Sequence, residues 1–215
     1  MHSYEYVPKE EWQPLREELL EIIHQLQDEV RNHFTFQYHF VGSSKWNMIT
    51  RERNGNKGFD FDVNLIVNAP KGRFTPENIR KILREGLNSV TNPSGLIRLG
   101  YDYTEDSTRV LTIKVKDKKN SRIMHSCDFC IVHNYGDRQQ QYIHYNKQQN
   151  SYYWAQQTAG YAKLPLRIEW IRKNGLWQQV YDRYLYKKGI NEDPHKRSRS
   201  IFAETINEVW TENHN

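Results

Sequence analysis

A strictly alternating stretch, Phe59 to Val67, constrains the fold of this chain more than any other segment. Its odd positions are all apolar, so a β-strand here presents one unbroken apolar face. Asp60, Asp62 and Asn64 then share the opposite face. Side chains two apart on one strand face are about 7 Å apart, from which two carboxylates reach one cation or two adjacent ones. The alternative interpretation is a strand whose polar face is simply solvated.

A second predicted strand, Arg122 to His133, carries a third acid in its middle. Asp128 lies there between Cys127 and Phe129. An unpaired carboxylate among apolar residues is costly to bury, because its charged form loses hydration. A bound cation would remove that cost, and so would exposure to solvent or an arginine partner. The residues alone leave these alternatives open.

An aromatic-rich predicted strand, Phe34 to Val41, runs directly into Gly42-Ser43-Ser44-Lys45. Glycine permits close backbone approach, while serine hydroxyls and amide groups donate to phosphate oxygens. A following helical turn would add the partial positive charge of its N-terminus. The segment therefore predicts a site for a triphosphate tail, with Lys45 as a further contact. An ordinary turn with a solvated Lys45 is the alternative.

Together, Gly42-Ser43, Asp60-Phe61-Asp62 and Asp128 resemble the motifs of the DNA polymerase β-type nucleotidyltransferase superfamily. The long helix predicted before the first strand makes the chain most similar to the oligoadenylate-synthetase and bacterial cyclic-oligonucleotide-synthase branch. The resemblance covers roughly residues 34 to 133. The connection from Ser44 to Asp60 is longer than is usual for the family.

This resemblance implies an enzyme that transfers a nucleoside monophosphate from an NTP to a hydroxyl acceptor and releases pyrophosphate. Asp60 and Asp62 would bridge two Mg²⁺ ions, with Mn²⁺ as the alternative metal. Asp128 would bind the ion nearer the acceptor and help to deprotonate the attacking hydroxyl. Ser43 and Ser44 would hold the β- and γ-phosphates.

The acceptor stays open between a small molecule, a nucleotide, RNA and a protein. A catalytically inactive nucleotide- or RNA-binding module on the same fold is the second hypothesis. A net charge of +5 and a sequence pI near 9.1 favour an anionic ligand without separating nucleotide from nucleic acid. Aromatic side chains in the C-terminal half could stack on a base, and Tyr153 and Trp154 are the predicted nucleotide contacts.

Helical periodicity predicts a long helix from Pro8 to His33 and a second one that begins at Thr75-Pro76, a cap followed by a first-turn proline. Residues 136–149 are polar and predict a hairpin or a mobile connection. The remaining predictions are strands near Leu96 to Tyr103 and Arg109 to Lys116, and helices over Leu164 to Asn174, Leu176 to Lys187 and Ser200 to Trp210.

The expected fold class is therefore α+β, a nucleotidyltransferase-like mixed sheet with helices packed against it and a C-terminal helical segment. We expect a catalytic core over residues 1–150 and a segment over 151–215 that closes the nucleotide cleft.

Composition argues against a membrane span, since the mean hydropathy is −0.93 and no apolar run approaches about 18 residues. The first residues lack the basic-then-apolar pattern of a secretory signal, which predicts a cytoplasmic location. Cys127 and Cys130 have opposite parity on one strand, so we do not expect them to pair. With no second cysteine pair, a zinc site is not expected either.

Overall fold

The computed structural model describes residues 3–70, 72–92, 100–135, 140–156, 164–193, 196 and 198–214. The elements in chain order are β1 (Tyr4–Tyr6), α1 (Lys9–Val30), β2 (Thr35–Val41), α2 (Gly42–Lys45), β3 (Thr50–Glu52), β4 (Phe59–Asn68), α3 (Pro76–Thr91), β5 (Glu105–Asp106), β6 (Val110–Asp117), β7 (Arg122–Asn134), β8 (Gln140–Asn146), β9 (Ser151–Gln156), α4 (Leu164–Lys173), α5 (Trp177–Ile190) and α6 (Ser198–Asn213).

The main sheet has seven strands and mixed direction. Its central order is β2-β4-β7-β6-β5, and the hairpin of β8 and β9 joins the end of β7. β4 and β7 run parallel, whereas the other neighbouring strands run antiparallel. A separate pair, β1 and β3, forms a small antiparallel sheet. The α+β class predicted from the sequence is confirmed.

The apolar face of β4 belongs to the main hydrophobic core. Burial alternates along the strand as the sequence predicts, with Phe61, Val63 and Leu65 fully buried. Helices α1 and α3 contribute their apolar stripes to the same core. The two helices approach closely at Gly86, where an added Cβ would lie 2.7 Å from the Cδ1 atom of Leu26. The helices therefore cover one face of the sheet, and the polar residues of β4 lie on the other.

The start of α3 follows its predicted cap. The Thr75 hydroxyl accepts from the amide of Asn78 at 3.1 Å, and the Asn78 side chain accepts in return from the Thr75 amide. Pro76 occupies the first turn, where a missing N–H costs nothing. The amides of Thr75 and Asn78, two of the four that a helix start leaves without a backbone partner, are thus hydrogen-bonded to side chains.

The three C-terminal helices are confirmed, and they form a second hydrophobic core. Its fully or nearly fully buried members are Met48, Ile168, Ile171, Val180, Tyr184, Ile201, Phe202, Ile206 and Val209. β1 joins this part of the molecule, because the ring of Tyr6 stacks on Tyr181 with centroids 3.7 Å apart. The Tyr6 hydroxyl also donates to the backbone carbonyl of Tyr181 at 2.6 Å.

Of the two interpretations for residues 136–149, the hairpin is confirmed over its described part. Residues 140–146 form β8, the turn 147–150 follows, and β9 pairs back along β8. Ile143 is fully buried and supplies the apolar anchor that the glutamine-rich sequence obscures. Residues 136–139 lie outside the described part.

The strand predicted near Leu96 to Tyr103 falls mainly outside the described residues. Tyr101 forms one isolated bridge with Val115. β9 belongs to the sheet, so the described helical part begins at Leu164. The division of the chain at residue 150 stays a prediction. In the described residues, no helix is both long enough and apolar enough to cross a membrane.

Candidate active site

The three predicted acids lie on one face of the sheet. In the parallel register of β4 and β7, Asp62 is directly opposite Asp128, and Asp60 is opposite Ser126. Register partners point to the same side, and residues two apart on a strand do as well. The intervening Phe61 and its partner Cys127 are fully buried on the other face. The fold therefore gathers Asp60, Asp62 and Asp128 where the second face of the sheet is open.

These carboxylates disfavour one another's charge. Burial, followed by the nearby charges of Asp60 and Asp128, raises the pKa of Asp62 to about 8. Asp60 is exposed at the surface of this face, yet desolvation by the surrounding protein still raises its pKa. Arg199 and Lys188 oppose the shift of Asp62 without cancelling it. A cation among these groups would relieve the repulsion.

Asp128 is oriented by its neighbour on β6. Thr112 is its register partner, and the Thr112 hydroxyl donates to the Oδ1 atom of Asp128 at 2.6 Å. Thr112 is itself buried. A short hydrogen bond from a buried donor fixes the carboxylate in one orientation.

The glycine of the predicted phosphate turn lies against the acids. Val41, the last residue of β2, is the register partner of Asp62, so the chain leaves the sheet beside this carboxylate. Gly42 has φ +59°, and an added Cβ would lie 3.0 Å from the Oδ2 atom of Asp62. The positive φ therefore favours glycine here, and a side chain at this position would also displace the Asp62 carboxylate.

The other three residues of the turn have different environments. Ser44 is fully buried, and its hydroxyl accepts from the Asp62 amide at 3.0 Å, which ties α2 to β4. Ser43 is half-buried. Lys45 is exposed, with its Nζ atom 5.1 Å from the ring centroid of Trp46. Ser44 is therefore an interior residue whose hydroxyl is already hydrogen-bonded. Gly42 and Ser43 are the residues of the turn that lie nearest to the open face.

The two predicted aromatic contacts separate across the sheet. Val132 of β7 lies on the same face as Asp128, and its register partner on β8 is Tyr142. Two residues further along β8, His144 is the register partner of Tyr153. Tyr153 therefore lies on the face with the acids, and it is exposed. Trp154 points to the opposite side, where it packs against the main core and lies 5.6 Å from the ring of His133. The structure therefore brings Tyr153, but not Trp154, to the face with the acids.

One basic residue that the sequence analysis missed lies close to the acids. Lys188 on α5 donates from Nζ to the Thr50 hydroxyl at 2.9 Å and lies 4.6 Å from the ring centroid of Tyr4. Burial lowers the pKa of Lys188, while the negative charges of Asp60 and Asp62 act in the opposite direction. A lysine on an amphipathic helix ordinarily indicates a solvated position, so no local signal marked it.

The acids do not form a closed metal cage. Within the described ranges, no group of three or more His, Cys, Asp or Glu side chains is arranged to hold an ion. Mg²⁺ is usually held by one or two carboxylates, with waters and substrate phosphates completing its coordination. Asp62 and Asp128 supply such a pair, because register neighbours lie about 4.8 Å apart. The donor set therefore fits an Mg²⁺ ion that arrives with a nucleotide.

Comparison with known proteins identifies the fold. No family model and no curated protein matches the sequence. Vibrio cholerae DncV in its GTP-bound form is 13% identical with a TM-score of 0.57, over 95% of this chain and 52% of DncV. The CD-NTase CdnG of Bradyrhizobium diazoefficiens, in complex with GTP, is 11% identical with a TM-score of 0.60, over 94% of this chain and 67% of CdnG.

A third solved structure, CdnC of E. coli MS115-1 with ATP, is 14% identical with a TM-score of 0.53, over 94% of this chain and 62% of CdnC. The chain thus spans about half the length of DncV, a cyclic AMP-GMP synthase. The predicted nucleotidyltransferase-like fold, which these three solved structures share, is confirmed.

Proposed function

We propose that this chain is a metal-dependent nucleotidyltransferase that moves a nucleoside monophosphate from an NTP to a hydroxyl acceptor. The observation that carries the proposal is the register of β4 and β7, which sets Asp62 opposite Asp128 with Asp60 on the same face. Nucleotide-bound neighbours support it, since DncV was crystallised with GTP and with 3'-deoxy ATP, and CdnC with ATP.

The acids share the metal in this proposal. Asp60 and Asp62 would hold Mg²⁺, or Mn²⁺, together with the phosphates of the nucleotide, and Asp128 would bind the ion nearer the acceptor. When bound, the metal neutralises phosphate charge and stabilises the attacking and leaving oxygens. Asp128, oriented by Thr112, accepts the proton of the acceptor hydroxyl. The hydroxyl oxygen then bonds to the α-phosphorus as the bond to the β-phosphate breaks, and pyrophosphate leaves.

The triphosphate would lie between α2 and α5. Gly42 allows close backbone approach, and the Ser43 hydroxyl donates to a phosphate oxygen. Ser44 holds the turn against β4, because its own hydroxyl is already engaged with the Asp62 amide. Lys188 supplies positive charge from the helical side, where it already interacts with Asp60 and Asp62.

One observation favours a second candidate function. Because no group of three acids in the described residues is arranged to hold an ion, a non-catalytic nucleotide- or RNA-binding module is the competing proposal. Such a module would bind NTP, or bind RNA with a steep dependence on salt, without turning over. Turnover distinguishes the two proposals, since only an enzyme releases pyrophosphate.

The test incubates the purified chain with each α-labelled NTP and with all four together, in Mg²⁺, Mn²⁺ or EDTA. Products are identified by mass spectrometry, and pyrophosphate is measured directly. The variants are Asp62→Asn and Asp128→Asn, with Asp182→Asn as the control for the same chemical change at an exposed site on α5. Metal-dependent pyrophosphate release that both site variants lose supports the enzyme. Nucleotide binding without pyrophosphate from any mixture supports the binding module.

A further inference from the structure

The chain crosses between the two hydrophobic cores at a single peptide bond. Met48 is fully buried in the C-terminal helical core, although those helices begin more than a hundred residues later in the chain. The next residue, Ile49, is buried in the main core. The segment that follows the phosphate turn is therefore fixed on both sides of this bond.

Backbone hydrogen bonds connect Met48 to the turn itself. The amide of Met48 donates to the carbonyl of Ser43 at 2.9 Å, and the amide of Trp46 donates to the same oxygen at 3.1 Å. Asn47 adopts φ 57°, a left-handed conformation that turns the chain back and directs Met48 into the helical core. Residues 43 to 48 thus form one unit, closed by the two hydrogen bonds to the Ser43 carbonyl, and Met48 is its buried end.

The other end of this unit contacts the backbone of β4 at Asp62. The Ser44 hydroxyl accepts from the Asp62 amide at 3.0 Å. A surface contact supports the same link to the helices, because the rings of Trp46 and Trp177 lie 5.3 Å apart and the guanidinium of Arg172 lies 5.3 Å from the Trp46 ring centroid. Packing against the C-terminal helices is therefore connected to β4 through six residues of chain.

We propose that Met48 is a positioning residue, through which the C-terminal helices set the place of the Gly42-Ser43 turn relative to Asp62. This inference rests on the proposed nucleotide site at that turn. Met48 itself would not contact the nucleotide, because its side chain is fully buried in the helical core. It acts because its side chain is fully buried in a close-packed core, so a displacement of residues 43–48 would open a cavity or force a clash there.

The experiment compares Met48→Ala with Met48→Leu, which keeps volume and apolar character, and with Met48→Val as a milder deletion should the alanine variant not fold. The control is Val209→Ala, which removes apolar volume from a fully buried position of the same core on α6. The first readout is hydrogen exchange of the peptide covering residues 42–48, compared at conditions of equal global stability. The second is the Kd for a non-hydrolysable NTP.

We expect the small variants at Met48 to accelerate exchange in residues 42–48 and to weaken NTP binding, each roughly tenfold, whereas Val209→Ala changes neither by more than about twofold. Met48→Leu should restore both to within about threefold of the wild type. Equal effects of Met48→Ala and Val209→Ala on residues 42–48 would overturn the proposal. If wild-type protein binds no NTP, the proposed function fails, while the exchange measurement still tests the positioning role.

Discussion

Replacing Asp62 by asparagine should stabilise the metal-free protein, which is the reverse of what most substitutions in a folded interior do. Asparagine keeps the volume of aspartate and removes its charge. In the native state that charge is partly desolvated and lies beside Asp60 and Asp128. Removing it therefore relieves repulsion, provided that no cation is present to do so.

The magnitude follows from the shift in pKa, from an ordinary value of 3.8 to about 8. An acid whose folded pKa is raised binds its proton more tightly in the folded state, so its charge destabilises the fold increasingly as pH rises from 3.8 towards 8. At pH 7 the cost has an upper limit of about 4 kcal/mol. Relaxation and water entry reduce it, and we expect Asp62→Asn to gain about 1 to 3 kcal/mol, a rise of roughly 3 to 9 °C in Tm.

The assay is thermal unfolding in EDTA between pH 4 and pH 8, with Asp182→Asn as the matched control. That carboxylate is exposed and accepts one hydrogen bond from Gln178. The gain of Asp62→Asn in free energy of unfolding over the wild type should be largest near pH 8 and vanish near pH 4. The free energy of unfolding of Asp182→Asn should stay within about 0.5 kcal/mol of the wild-type value throughout. With Mg²⁺ and a non-hydrolysable NTP the order should reverse, because the wild type alone gains the full metal-linked stabilisation. Melting of Asp62→Asn at or below the wild type in EDTA at pH 8 would refute the reasoning.

Four further predictions concern the proposed reaction. Asp128→Asn should lower kcat by about a hundredfold or more, as measured by pyrophosphate release, while circular dichroism shows that the fold is retained. Ser43→Ala should weaken NTP binding by roughly ten- to a hundredfold but leave nucleoside binding unchanged in titration calorimetry, and equal losses would make the turn purely structural. Gly42→Val should abolish NTP binding, because its side chain would meet the Asp62 carboxylate and a positive φ is strained for a β-branched residue. Tyr153→Ala should reduce nucleotide affinity without changing Tm, whereas Trp154→Ala should lower Tm; the opposite pattern would reassign the base contact.

The strand that bears Asp60 and Asp62 could be predicted from sequence, because apolar and polar residues alternate along β4. Alternation with a period of two fixes which residues of one strand share a face, and burial along β4 follows it. Periodicity does not specify which strand lies beside β4. The pairing of Asp62 with Asp128 joins residues 66 positions apart, and it came from the family resemblance together with the fold, not from local pattern.

The roles of the two serines could not be separated from sequence. In a turn there is no periodicity to assign one side chain to the interior and the next to solvent. The partner that separates the two serines is the Asp62 amide, which donates to the Ser44 hydroxyl. Ser44 is therefore buried, whereas Ser43 is only half-buried. For the same reason, opposite orientations of Tyr153 and Trp154 could be predicted only once both were placed on one strand, because adjacent strand residues face opposite ways.

The position of Lys188 could not be predicted from a local sequence pattern, and its charge is part of the balance between acidic and basic groups at the site. Its place opposite the acids depends on the packing of α5 against β1 and on Thr50 of β3, two short strands that no periodic signal predicts. Among the described residues whose charges act on Asp62, the three carboxylates face two basic side chains, Lys188 and Arg199. A triphosphate adds further negative charge to a site that is already negative, and the two basic groups cannot compensate both. If the chain binds NTP as proposed, we therefore expect the nucleotide to enter with its divalent cations, and the carboxylates that repel one another without a metal would become the ligands of those cations.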